Sequence, residues 1–133
     1  MAMPLSLGAC HRQLEIDETE VELIAEPHAN ELHFSVSFLL SRREALKIEE
    51  GEYYPAGYVS LCDQSSPKRP FTLSIGDAPV ESFPFASSSK ANFILQGSIL
   101  LPKEYKGSDA CFSIRAGSYW LSRLESGRVR IRL

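Results

Sequence analysis

Polarity alternates residue by residue through most of this chain, and that period of two constrains the fold more than any other feature. In an extended strand successive side chains point to opposite faces, so alternation describes a strand with one buried face. Leu32-His33-Phe34-Ser35-Val36-Ser37-Phe38 is the cleanest case, with Leu32, Phe34, Val36 and Phe38 on one face and His33, Ser35 and Ser37 on the other. Glu20-Val21-Glu22-Leu23, Phe71-Thr72-Leu73-Ser74-Ile75 and Ala110-Cys111-Phe112-Ser113-Ile114 repeat the pattern. Tyr58–Cys62, Val80–Phe85 and Asn92–Leu101 are further strand candidates. Gly76-Asp77, Gly117-Ser118, Ser126-Gly127 and scattered prolines mark turns between them.

Short alternating runs between such breaks predict an all-β protein, an antiparallel β-sandwich of about 7–9 strands with at most one short helix. Residues 1–133 are read as a single all-β domain. Ser41–Gly51 is the candidate helix, with a serine at the N-cap position and a glycine as a stop, although Leu46 and Ile48 suit a strand equally. An alternative architecture comes from a weak repeat. Phe34-Ser35-Val36, Leu73-Ser74-Ile75 and Phe112-Ser113-Ile114 recur at a spacing of 39 residues, which fits a β-trefoil or a small closed barrel. At the C-terminal end, three strands are expected to form a meander over residues 111–115, 119–124 and 128–133, placing Trp120 on the strand beside the last.

That last strand carries the most unusual charge pattern. Arg128, Arg130 and Arg132 alternate with Val129, Ile131 and Leu133, giving one apolar and one arginine face. Residues 1–66 hold 4 Lys/Arg against 12 Asp/Glu, a net of −8, whereas residues 67–133 hold 10 against 5, a net of +5. Arg115, Arg123, Arg128, Arg130 and Arg132, with Trp120 nearby, are therefore the candidate partner-binding residues, since arginine pairs bidentately with carboxylates. Charge that blunts a sheet edge, or cross-strand pairing with Glu20 and Glu22, would explain the same pattern without a partner. The chain is acidic in sum and its lysines are scattered, which argues against nucleic acid.

Other chemistry is thinly supplied. Tyr53, Tyr54 and Tyr58 flank a Pro-Ala-Gly turn signal and are the alternative ligand-binding residues, suited to stacking on a sugar. His11, His28 and His33 show no zinc spacing, and the acidic run from Glu15 to Glu26 lacks the glycine of a calcium loop, so no metal and no cofactor is expected. Ser87-Ser88-Ser89-Lys90 reads as a flexible loop.

The three cysteines (Cys10, Cys62, Cys111) are an odd number with no Cys-x-x-Cys pair, which predicts thiols in a reducing, cytoplasmic setting; one disulfide plus a free thiol is the alternative. Cys62 and Cys111 read as small packing residues. Leu7-Gly8-Ala9-Cys10 resembles a lipoprotein cleavage site, but the residues before it offer neither a basic start nor an apolar stretch, so anchoring there is disfavoured. No apolar run is long enough to span a bilayer.

The function expected from these residues is a non-catalytic protein-binding or assembly module that sets a basic C-terminal meander against an acidic protein surface. The partner is another protein or a second copy, joined head to tail. A carbohydrate-binding, lectin-like domain is the alternative, and a small enzyme stands behind both.

Overall fold

The computed structural model describes residues 11–28, 30–63 and 67–133, with His11 and His28 by backbone only. Cys10 and the lipoprotein reading attached to it lie outside the described residues, as does any approach of the His28 side chain to His33.

Two β-sheets pack face to face, as the alternation predicts. Sheet A runs in the order β1 (His11–Leu14), β10 (Arg123–Ser126), β9 (Asp109–Ser118), β4 (Tyr53–Leu61), β5 (Arg69–Thr72), with β11 (Val129–Arg132) also paired to β9. Sheet B runs β2 (Glu18–His28), β3 (Glu31–Ser41), β8 (Asn92–Pro102), β6 (Ser74–Ile75), β7 (Ala78–Pro79). Among the described residues, nine strands have four or more residues, and β6 and β7 have two each. Every pairing is antiparallel except β1 with β10.

The inner faces form one core. Leu32, Phe34, Val36, Phe38 and Leu40 of β3 face Val59 of β4, Phe71 of β5, and Phe112 and Ile114 of β9. The Phe38 and Phe71 rings stack between sheets at 6.3 Å. Gly97 admits this contact: a Cβ there would lie 2.4 Å from the Thr72 carbonyl oxygen and 2.8 Å from the Phe71 ring. Burying side chains of this size contributes roughly 1.5–3 kcal/mol each, which is what the alternation encodes.

Ser41–Gly51 resolves as a helix, α1 (Arg42–Glu50). The Ser41 hydroxyl accepts from the Glu44 N–H at 3.4 Å, and Gly51 closes the C-terminus. It buries Glu44, Ala45 and Ile48. Ser87–Lys90, expected as a flexible loop, is tied to this helix. Arg42 donates to the carbonyls of Phe85, Ala86 and Ser88, and the Glu49 carboxylate accepts from the Ala86 N–H at 2.7 Å.

Four expectations about strands and topology are corrected first. The trefoil and closed-barrel alternatives give way to two sheets, because the repeated triplets fall in β3 of sheet B, at the crossing into β6, and in β9 of sheet A, without a shared environment. Phe71–Ile75 is not one strand: β5 pairs in sheet A, the chain crosses at buried Leu73, and β6 pairs in sheet B. Val80–Phe85 forms 3₁₀ turns, Val80–Ser82 and Phe85–Ser87, because Pro79 and Pro84 remove ladder donors and restrict φ, to −63° and −85°. Its Phe83 and Phe85 rings pack against Phe93 at 5.8 and 4.9 Å as core.

The fourth concerns the meander. Residues 119–122 form a hairpin tip, and β10 and β11 are successive segments of one return strand along β9. The ladder breaks between Glu125↔Arg115 and Val129↔Phe112, and the Ser126 hydroxyl accepts the Ile114 N–H there at 2.8 Å.

Cys62 and Cys111 are joined in a disulfide, with Cα atoms 5.1 Å apart, which corrects their reading as thiols and packing residues. Cys111 is opposite Ser60, and the Cys62 N–H donates to the Asp109 carbonyl at 3.0 Å, so the end of β4 delivers Cys62 to its partner. The spacing of 49 residues hid the pair. No helix among the described residues is long and apolar enough to cross a membrane.

Candidate functional site: the outer face of sheet A

The alternation that sends Phe112 and Ile114 inward leaves Cys111, Arg115 and Gly117 of β9 facing outward. Register adds the neighbours on that face. Gly117 lies between Tyr54 and Arg123, Arg115 between Ala56 and Glu125, Ser113 beside Tyr58, and Cys111 between Ser60 and Arg130. All five predicted arginines reach this surface, Arg128 by donating to Cys111 Sγ at 3.4 Å.

Their counter-charges are local. Arg130 pairs with Asp63 at 2.7 Å and Asp109 at 3.6 Å, and Arg132 with Asp109 at 3.4 Å. The hydrogen bond that Arg130 donates to Asp63, then the charge of Asp63, raises the Arg130 pKa above the ordinary guanidinium value. Arg115 pairs with Glu125 at 2.8 Å and lies 5.6 Å from the Tyr58 ring centroid, a cation–π contact. Arg123 and Arg128 have no ion pair among the described residues.

Glu20 and Glu22 are not the counter-ions. They oppose Ser37 and Ser35 on the outer face of sheet B, across the core from the arginines. Part of the charge split of the sequence is therefore a split between opposite faces of the sandwich, whereas Asp63 of the acidic half stays beside Arg130. On the acidic side, Glu18 and Glu20 border a depression of about 270 Å³ with Leu39 and Ile94.

Tyr54, Tyr58, Arg115, Arg123 and Glu125 line a groove of about 280 Å³, floored by Ala56, Ala116 and Gly117. Two groups of residues with no link in local sequence, the arginines and the tyrosines, thus meet in one place through Arg115, Arg123, Tyr54 and Tyr58. Their membership is trimmed. Tyr53 points into the core and is 2% exposed, its hydroxyl bonded to Ser122, so it is removed from the ligand-binding set. Arg130 and Arg132 sit farther along β9, opposite Cys111 and Asp109.

Trp120 is not beside the arginine strand as expected but at the hairpin tip, where Tyr119, Trp120 and Leu121 are 79, 72 and 86% exposed. The tip is ordered by its own bonds. The Ser118 hydroxyl accepts from the Trp120 and Ser122 N–H groups at 3.2 and 3.1 Å, and the Ser118 N–H donates to the Ser122 carbonyl at 3.1 Å. Leu121 is held at φ +65, a conformation costly for a branched side chain. Sequence reasoning placed residues 119–124 in a strand because Tyr and Trp favour strands. The flanking Ser118 and Ser122, a pair able to bond the backbone of a turn, were the signal against it. The carboxylate partners Asp63, Asp109 and Glu125 were also missed.

No group of three or more His, Cys, Asp or Glu among the described residues could hold a metal ion. His33 faces outward from β3 beside Ser98 and Leu100, with no cysteine or carboxylate lining the same hollow.

No family model matches the chain, and no curated protein matches it. Among solved structures, it is similar to a DUF4466 family protein from Parabacteroides merdae, at 15% identity and a TM-score of 0.29 over 89% of this chain. The chain spans 45% of that protein's length. A likeness at this level carries no argument about function.

Proposed function

We propose that the protein is a non-catalytic binding module whose working surface is the outer face of sheet A, and that its ligand is an acidic protein surface. The observation that carries this is the groove of Tyr54, Tyr58, Arg115 and Arg123. In it an arginine without a carboxylate partner stands beside an exposed tyrosine, the two side-chain types that most often anchor protein interfaces. Arg115 is already held by Glu125 and Tyr58, so it shapes the groove while Arg123 meets the ligand. Arg128 extends the same face toward β11. The disulfide supports a non-reducing compartment in place of the cytoplasm expected from the cysteine count.

The test uses poly-L-glutamate as the acidic probe, titrated calorimetrically at low and high sodium chloride. Binding that weakens with salt and falls on the order of tenfold in Arg123→Glu is expected, because truncating or reversing an anchor costs at least one to two kcal/mol. Absence of binding, or binding indifferent to Arg123→Glu, overturns the proposal.

Carbohydrate binding is the second reading, favoured by exposed Tyr54 beside Glu125 and Arg123. It ranks lower because Tyr53 is buried and the face of Tyr58 is taken by Arg115. A glycan array that gives hits lost in Tyr54→Ala would raise it above the first.

A further inference from the structure

Tyr119, Trp120 and Leu121 are the most exposed large apolar side chains among the described residues, and they are contiguous. Isolated exposed apolar residues need no explanation, but three in a row on an ordered tip do. Tyr119 and Trp120 pack edge to face with ring centroids 5.2 Å apart, so together they present one rigid wedge. The bonds that the Ser118 hydroxyl accepts, and that between the Ser122 and Tyr53 hydroxyls, fix it before any partner arrives. A pre-ordered anchor loses little entropy on binding.

The surroundings of the wedge identify what covers it. The groove with Arg123 opens at the foot of the tip, where the chain leaves it, and none of the three tip residues lines it. A separate hollow of about 300 Å³ is lined by Glu49, Glu52, Glu81, Tyr53, Tyr54 and Tyr119. Tyr54 lines both depressions and so stands between them. Glu52 and Glu81 are exposed and have no ion pair among the described residues, and the same holds for Arg123. An aromatic ridge of Tyr54 and Tyr119 between a cationic and an anionic depression is self-complementary. A two-fold axis lying along the ridge sets the basic flank of one copy on the acidic flank of the other, twice, while the two ridges face each other.

We infer that the Tyr119-Trp120-Leu121 tip is the centre of an isologous dimer interface, in which Arg123 of each copy pairs with the Glu52 and Glu81 hollow of the other. This rests on the functional reading above and names its partner: the acidic surface that the groove takes is supplied by a second copy of the chain. The arrangement replaces the head-to-tail contact expected from the sequence with a closed pair. Unlike a head-to-tail contact, it does not propagate.

Sedimentation velocity over a range of concentrations, combined with charge-swapped variants, tests it. The unaltered protein is expected to pass from monomer to dimer as concentration rises. Trp120→Glu should weaken the dimer on the order of tenfold or more. Arg123→Glu and Glu52→Arg should each be monomeric alone. Mixed in equal amounts they should form a heterodimer, since the charge reversed at position 123 of one then faces the charge reversed at position 52 of the other, and the second contact keeps Arg123 against Glu52 and Glu81. Circular dichroism of each variant guards against misfolding. A monomer at every concentration overturns the inference, as does a dimer indifferent to Trp120→Glu, a mixture that stays monomeric, or assemblies larger than two. If the protein stays monomeric yet binds poly-L-glutamate through Arg123, the dimer is wrong and the binding module stands. If it does neither, both readings fall.

Discussion

Glu44 shows how much one buried carboxylate depends on its partners. It is 4% exposed on the inner side of α1 and accepts from the Lys47 ammonium and the Glu15 N–H, each at 2.8 Å. Burial alone would push its pKa up. The hydrogen bond from Lys47, that from the Glu15 N–H, and the charges of Lys47 and Arg43 outweigh it, leaving the carboxyl below its ordinary value of 4.5. A carboxyl depressed on folding contributes stability above its unfolded pKa and loses that contribution as pH falls through the folded one. Glu44→Gln keeps the shape, removes the charge and turns an amide toward an ammonium, so a loss of about 1–3 kcal/mol at neutral pH is expected. The loss should vanish on acidification below the carboxylate range, which urea denaturation of both proteins between about pH 7 and pH 2 would show. Parallel stability curves for the two proteins across that range would exclude the role assigned to Glu44.

At the scale of elements, the disulfide is the largest single constraint. It joins β4 to β9, the two central strands of sheet A, across a separation of 49 residues. Closing a loop of that length restricts the unfolded chain by about 4 kcal/mol in the entropic account, and measured values commonly fall between about 2 and 4. Cys62→Ala/Cys111→Ala should therefore lower the denaturation midpoint by that free energy while keeping the β-rich circular dichroism spectrum, because the ladders of β9 do not run through the sulfurs. Reducing agent should reproduce the loss in the parent and do nothing to the double variant. If reduction leaves the parent's midpoint unchanged, the pair does not form.

The same elements show what could be seen in the sequence. β3 was legible because its alternation and its burial have one cause: Leu32 to Leu40 face the core at every second position. Ser41 and Gly51 marked α1 because caps are local chemistry. The crossing at Leu73 was not legible. Residues 71–75 keep the period of two while their hydrogen-bond partners change from β4 to β8, and partner identity is not written in local polarity. The disulfide, the Arg130–Asp63–Asp109 cluster and the groove were hidden for a related reason. Each joins residues brought together only by strand order. The face of each candidate arginine was readable; its neighbours across the sheet were not.

For the whole molecule, part of the charge split in the sequence becomes a difference between the two outer faces of the sandwich. Glu18, Glu20 and Glu22 face away from sheet B, and Arg115, Arg123 and Arg130 away from sheet A. Packed sheets stand about 10 Å apart, and outward side chains add to that separation, so the two sets lie beyond the Debye length of about 8 Å at physiological salt. Charges that far apart act on a ligand almost independently. Glu20→Lys/Glu22→Lys should therefore leave the affinity of the Arg123 groove for poly-L-glutamate unchanged at physiological salt, although it alters net charge by the same amount as reversing two arginines in the opposite sense. At low salt, on the order of 0.01 M, the screening length grows to about 30 Å and the far face is felt. There the double variant should bind the acidic probe faster, since removing remote negative charge raises the rate of encounter more than it slows dissociation. Stopped-flow or surface-binding rates at the two salt concentrations separate the terms. A change in dissociation rate at physiological salt would mean that the β2 face contacts the ligand, and the assignment of binding to sheet A alone would have to be given up.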